Sequence, residues 1–286
     1  MTAHDARLHA FRTDLADIRL KGEVAAERFV SGRPARIATS VADLRRAPRV
    51  DSGIDTQFLS GDDVLVFDDA DGWAWVQGER DGYVGYVLAE ELKPREAAAT
   101  HIVSAPRTFV YPGPDLRFPR SGHLSMGSTI AVVGTAETRG THYAVLPSGE
   151  TIIAGHLRPI GDHAADYVSI AETFLGTPYL WGGASGFGID CSGLVQLSMR
   201  MAGRDVLRDT DMQVASLGEL LDTGADYSGL RRGDLVFWKG HVAIMTDSEM
   251  MIHANGHTMT VALEGLKDAV ARIGYLYGGP TAFRRP

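Results

Sequence analysis

The chain has 286 residues, 44% of them hydrophobic, which is enough for two or three domains with packed cores. Its 28 Lys and Arg against 36 Asp and Glu give a net charge of −8 and no basic field for phosphates, so nucleic acid is excluded as an expected partner. No apolar run approaches the roughly 20 residues that span a bilayer, and no membrane partner is expected.

The first 22 residues carry scattered charges and no apolar run before a small-residue cleavage site, so they do not read as a secretory signal. A single cysteine excludes an intramolecular disulfide framework, and both features point to the cytoplasm. Residues 1–32, with apolar Leu8, Phe11, Leu15, Ile18 and Leu20, read as an arm that packs on the domains. From residue 33 short β runs take over: Arg36 to Val41, Val64 to Phe67, Trp73 to Gln77 and Tyr83 to Val87. Ser60-Gly61, Asp71-Gly72 and Asp81-Gly82 separate them as turns, and the pattern predicts a small antiparallel barrel over 33–95.

The polar stretch KPREAAAT marks a boundary, and a second barrel comes next over 96–160, with strands Ile130 to Val133, His142 to Leu146 and Thr151 to Ile153. Gly61-Asp-Asp-Val-Leu-Val and Gly127-Ser-Thr-Ile-Ala-Val are alike, as expected of a degenerate duplication. Residues 161–286 change character. Helices are expected at Tyr167 to Leu175, from Cys191 to Gly203 and at Met212 to Leu221. Strands are expected at Leu235 to Trp238, Val242 to Met245, Met250 to His253 and Tyr275 to Phe283. Helices followed by strands describe an α+β domain with an antiparallel sheet.

Cys191, the only cysteine, stands after Gly182, Gly183, Gly186 and Gly188 and opens the run Leu194, Val195, Leu197, Met199, Met201. A thiol at a helix start feels unpaired N–H groups and the positive end of the dipole, which favours thiolate. A cysteine nucleophile needs a base and a group to orient that base. His241 begins the strand HVAIM and His253 ends the strand MMIH, with Thr246, Asp247 and Ser248 as the reversal between them. An odd-length loop would put both histidines on one face, His241 as base and His253 fixing its tautomer. One thiolate and two imidazoles could instead ligate zinc, although their spacing matches no paired-ligand zinc motif.

Five blocks, in order, resemble the NlpC/P60 cysteine peptidases. They are Pro178-Tyr179-x-Trp181-Gly182-Gly183, Asp190-Cys191-Ser192-Gly193-Leu194-Val195-Gln196, Gly233-Asp234-Leu235-Val236-Phe237, His241-Val242-Ala243-Ile244 and Ile252-His253-Ala254. The resemblance implies a papain-like catalytic domain that cuts peptidoglycan stem peptides with no cofactor and no metal. It implies a triad of Cys191, His241 and His253, and a Tyr179 hydroxyl that joins the Cys191 N–H at the oxyanion. Upstream, the chain is similar to the subgroup with two bacterial SH3-like domains, which are γ-D-glutamyl-L-diamino acid endopeptidases acting on free N-terminal L-Ala.

Carried over from that subgroup, substrate contacts fall on Asp190, Ser192, Asp209 and Thr210, and on Asp55 and Tyr83 of the first barrel. Trp181 is expected near the cleft. Asp55 stands where the subgroup has Glu, and Thr210 where it has Ser. The implied partner is a peptidoglycan-derived tri- or tetrapeptide. The alternatives are an exported D,L-endopeptidase acting on intact wall and a non-catalytic module that docks wall fragments.

Overall fold

The computed structural model describes residues 4–95, 98–224 and 226–286. It divides into two compact units, residues 1–160 and 161–286. The boundary expected at 95/96 borders residues 96 and 97, which lie outside the described residues. No helix among the described residues is long and apolar enough to cross a membrane.

The first unit is all β apart from single 3-10 turns. Its larger sheet has seven strands in the order Ile54–Leu59, Val41–Arg45, Val84–Leu88, Trp73–Gly78, Asp63–Ala70, Arg33–Ile37, Leu92–Lys93. The expected strand from Arg36 to Val41 is in fact two, broken between Ile37 and Val41. Asp71 and Gly72, with φ of 53° and 80°, form a two-residue turn of left-handed backbone that suits the twist of the flanking hairpin. In the N-terminal arm, Ala10 and Leu15 enter a core with Phe67 and Trp75, and Arg12 bonds Asp68 and the Tyr86 hydroxyl.

The rest of the unit contains a five-stranded and a three-stranded sheet. The internal likeness noted at Gly61 and Gly127 extends to the backbone. Gly61 N–H bonds Ile37 O and Ile37 N–H bonds Asp62 O, while Gly127 N–H bonds Val103 O and Val103 N–H bonds Ser128 O. Both glycines have φ near 90°, at 87° and 89°, where a side chain is strained. Each copy then ends on a 3-10 turn, Ala89–Glu91 or Ala154–His156, and a short strand that returns to the copy's first strand. One folding unit has thus been used twice.

The second unit is α+β. Its antiparallel sheet has the order Glu219–Leu220, Ala282–Arg285, Leu235–Trp238, His241–Met245, Met250–Asn255, Thr260–Gly265. Helices α1 (Tyr167–Glu172), α2 (Cys191–Met201), α3 (Thr210–Ser216) and α4 (Leu266–Tyr277) surround it. Nearly every residue of α2 is buried, and α2 packs against α1 and the His241–Met245 strand.

Two expectations for this unit need correction. The third helix starts at Thr210 and stops at Ser216, because Gly218 takes a positive φ of 57°. The strand expected over Tyr275 to Phe283 is partly α4, whose buried residues Leu266, Ala269 and Ile273 follow a helical period, and only Ala282–Arg285 is extended. Gly278, with φ 86°, ends α4.

Candidate active site

The glycine-rich approach to Cys191 exists because main chain runs against the start of α2. A Cβ on Gly193 would stand 2.3 Å from Gly183 O, and one on Gly183 would stand 2.6 Å from Gly188 O. Only hydrogen fits at either place. Asp190 caps the helix, its Oδ1 accepting Gly193 N–H at 2.7 Å, which fixes Cys191 as the first helical residue.

Around that cap lies a buried network that the sequence did not suggest. Arg208, 1% exposed, donates to Asp190 through Nη1 to Oδ1 at 3.0 Å and Nη2 to Oδ2 at 2.6 Å. It also donates to Ser192 Oγ at 2.7 Å and to Gly183 O at 3.3 Å. Gly182 N–H reaches Asp190 Oδ2 at 3.0 Å and the Ser192 hydroxyl reaches Oδ1 at 3.2 Å. Both Asp190 oxygens are therefore taken, and a substrate group reaches them only by displacing a donor. Gln213 of α3 closes the network, its Nε2 bonding Ser192 O at 3.0 Å and Leu207 O at 3.0 Å.

The sulfur of Cys191 accepts from the Val242 N–H and the Thr210 hydroxyl. Burial, then the Asp190 carboxylate, push the thiol up to about 11. Desolvation thus opposes the thiolate that the helix start favours. Tyr179 is half-buried, and burial followed by the Cys191 and Asp190 charges raises its phenol above the ordinary range. Its main chain is fixed on both sides, by a bond from its N–H to Met259 O at 2.8 Å and a bridge to Ile189.

The two histidines meet as the hairpin reading requires. Thr246 N–H bonds Met250 O at 2.9 Å, which leaves the odd loop of residues 247–249. Counting on from the Ile244–Ile252 pair places Ala243 opposite His253, with His241 diagonal to His253 on the same face. His241 Nε2 lies 2.9 Å from His253 Nδ1. Burial drives both towards neutrality, His241 down to about 3 and His253 down to about 4. Burial at both groups thus favours the neutral thiol and imidazole over the charged forms.

Trp238 packs on the His241 ring at a centroid distance of 5.7 Å. His253 Nε2 lies 3.0 Å from Glu264 Oε2, and Arg272 grips Glu264 through Nε at 2.8 Å and Nη2 at 2.6 Å.

Asp209 precedes α3, half-buried, without capping it, and Trp181 is 69% exposed on the loop before the cap. Asp234 works within the fold, joined to Arg285 of the last strand at 2.8 and 2.7 Å. In the first unit, Asp55 pairs with Arg46, and Tyr83 is 4% exposed beside the Asp81-Gly82 turn. Among the described residues no three His, Cys, Asp or Glu side chains stand together as metal ligands.

Arg208, Glu264, Arg272 and the Trp238 packing are not legible in the sequence pattern. Arg208 is followed by the polar Asp209 and Thr210 and carries no local sign of burial. Arg272 gives none either, because its role depends on α4 packing beside the strand that carries Glu264.

Residues 44–92 match the bacterial dipeptidyl-peptidase Sh3 domain and residues 176–271 match the NlpC/P60 family. The chain is 28% identical over 226 residues to a gamma-D-glutamyl-L-lysine dipeptidyl-peptidase of Bacillus subtilis, covering 71% of this chain and 73% of that protein. A protein of the same name from Bacillus cereus is 26% identical over 231 residues, covering 70% of this chain and 67% of its own length. In fold, the chain is similar to the crystal structure of an NlpC/P60 family protein from Bacillus cereus, with a TM-score of 0.72 at 23% identity over 88% of this chain and 99% of that one. With its cysteine at the head of a buried helix and two bonded histidines on the sheet beside it, the chain is an NlpC/P60 cysteine peptidase that carries an SH3-like domain ahead of the catalytic one.

Proposed function

We propose that the chain hydrolyses the bond between γ-linked D-Glu and an L-diamino acid in peptidoglycan stem peptides with a free N-terminal L-Ala, releasing L-Ala-D-Glu. The observation that carries this reading is the likeness to two gamma-D-glutamyl-L-lysine dipeptidyl-peptidases, which spans the SH3-like and catalytic regions together.

In this reading Cys191 Sγ attacks the γ-carbonyl of D-Glu as His241 takes the thiol proton. The negative charge that develops on the carbonyl oxygen is held by the Cys191 N–H and the Tyr179 hydroxyl. His241, now imidazolium, gives its proton to the leaving amine of the diamino acid, and the C–N bond breaks. Water, deprotonated by His241, then cleaves the thioester and restores the thiol. Starting from a neutral pair suits the site, since burial disfavours both ions until the substrate brings a group to receive the charge.

The L-Ala ammonium is the specificity handle, and within the catalytic unit Asp209 is the carboxylate assigned to it, with Thr210, Ser192 and Trp181 contributing contacts. Asp190 acts mainly through the cap and Arg208. We place the reaction in the cytoplasm, on fragments recovered from the wall. The lone cysteine, which has no partner for an intramolecular disulfide, suits a reducing compartment.

The test is to offer polymeric peptidoglycan and free L-Ala-γ-D-Glu-L-Lys side by side. The tripeptide should yield L-Ala-D-Glu and lysine while the polymer stays intact. Release from the polymer at a comparable rate would support wall remodelling and overturn the recycling role.

A further inference from the structure

Beyond the three expected residues, we infer that Glu264, clamped by Arg272, is a positioning residue that sets the protonation pattern of both histidines and so determines which nitrogen of His241 acts as the base. The inference rests on the assignment of Cys191, His241 and His253 as the reacting and orienting groups.

At the far end of the chain of contacts, Arg272 makes two bonds to Glu264, at 2.8 and 2.6 Å, and the side chain of Glu264 is only 21% exposed. The guanidinium holds the Glu264 carboxyl below its ordinary range, so it is an anion at neutral pH. Its Oε2 stands 3.0 Å from Nε2 of His253, a fully buried side chain. The two are off the line of an ideal hydrogen bond, and among the described residues Nε2 has no other partner. A lone pair on Nε2 would face the carboxylate oxygen at that distance and be repelled, whereas an N–H would be attracted. Electrostatics alone therefore place the His253 proton on Nε2.

A neutral imidazole carries one ring proton, so His253 Nδ1 must then be an acceptor. Only a donor can occupy the 2.9 Å contact to it, and that donor is His241 Nε2–H. The single proton of neutral His241 is thereby committed to Nε2, and its lone pair is left on Nδ1. Nδ1 is the ring nitrogen nearer the main chain, and the next amide in that main chain, Val242 N–H, already touches the Cys191 sulfur. The lone pair is thus on the cysteine side of the ring.

Glu264 reaches its place by register. His253 is paired with Ala262 on the neighbouring strand, and Glu264 is two residues on, on the same face and diagonal to His253. Arg272 comes from α4, which packs beside that strand.

Without the carboxylate the reverse pattern becomes available. His253 Nδ1–H can donate to His241 Nε2, which moves the His241 proton to Nδ1 and leaves no lone pair facing the thiol. A misplaced tautomer of this kind lowers turnover without disturbing substrate binding. Glu264→Ala is therefore expected to lower kcat by about 10- to 100-fold with KM within about threefold. Glu264→Gln, whose amide oxygen can still accept from Nε2–H, should recover part of the loss. A purely structural role would move KM or stability, and would not separate Ala from Gln in this way.

The direct readout is the nitrogen NMR spectrum of the imidazole rings in the unaltered protein at neutral pH, with His241 and His253 assigned through His241→Asn and His253→Gln. Both should carry the proton on Nε2. A proton on His253 Nδ1 overturns the inference, and this measurement does not depend on any Glu264 variant folding. Turnover retained by Cys191→Ala would instead overturn the assignment on which the inference rests, so the two failures are distinct.

Discussion

Replacing Cys191 by alanine is expected to lower hydrolysis of the tripeptide by at least ~10⁴-fold while the affinity for it stays within about threefold. The site has one sulfur, at the head of a fully packed helix, with a hydroxyl-bearing tyrosine and a histidine pair grouped around it. The change to alanine removes the nucleophile and little else, because the thiol contributes to packing only as a small buried group. Calorimetric titration of the variant with uncleaved peptide, beside a turnover assay, separates the two effects. A protein that only docked wall fragments would behave identically before and after the change, and measurable turnover by Cys191→Ala would refute the acyl-transfer mechanism.

Arg208→Leu should cost about 3–5 kcal/mol of stability in the catalytic domain, seen as a melting temperature lower by on the order of 10 °C. Among the described residues the guanidinium is the only cation bonded to Asp190, whose side chain is 12% exposed. Its loss strands a carboxylate among neutral donors. The companion change Asp190→Asn in the Arg208→Leu background should recover part of the deficit, since it removes the stranded charge. Arg208→Lys should not, because one ammonium cannot reproduce two parallel bonds to Asp190 together with those to Ser192 and Gly183. A melting temperature within about 2 °C of the original for Arg208→Leu would contradict the view that this network holds the cap of α2.

The parts of the site that could be read from the sequence are those encoded locally. A glycine run before a lone cysteine, with apolar residues at helical spacing after it, implies a helix start whatever surrounds it. The histidines at opposite ends of two short strands likewise imply a hairpin and a shared face. What escaped was encoded at a distance. Arg208 is 18 residues from the carboxylate it holds, and nothing near it in the chain indicates that it is buried. Glu264 stands in a strand whose diagonal register to His253 emerges only after the sheet is assembled.

The difference at Tyr275 has another cause. Tyr275, Leu276 and Tyr277 have strand-like character, yet they lie 90%, 64% and 69% exposed at the end of α4. Tertiary context, through Leu266, Ala269 and Ile273, decided that segment over local propensity. The burial that opposes the charged pair was likewise not legible, because a helix dipole can be seen in a sequence and the depth of burial cannot.

Under the proposed function, the choice between free peptides and intact wall turns on the L-Ala nitrogen. In the polymer the L-Ala nitrogen is a neutral amide, and in a released fragment it is an ammonium that carboxylates can hold through charge-assisted bonds. The most direct measurement is kcat/KM for L-Ala-γ-D-Glu-L-Lys against the same peptide acetylated on L-Ala, with products identified by mass. The account predicts cleavage between D-Glu and Lys in both, with the free peptide favoured by roughly a hundredfold, and Asp209→Asn narrowing the gap by slowing the free peptide most. Equal kcat/KM for the two peptides would contradict it.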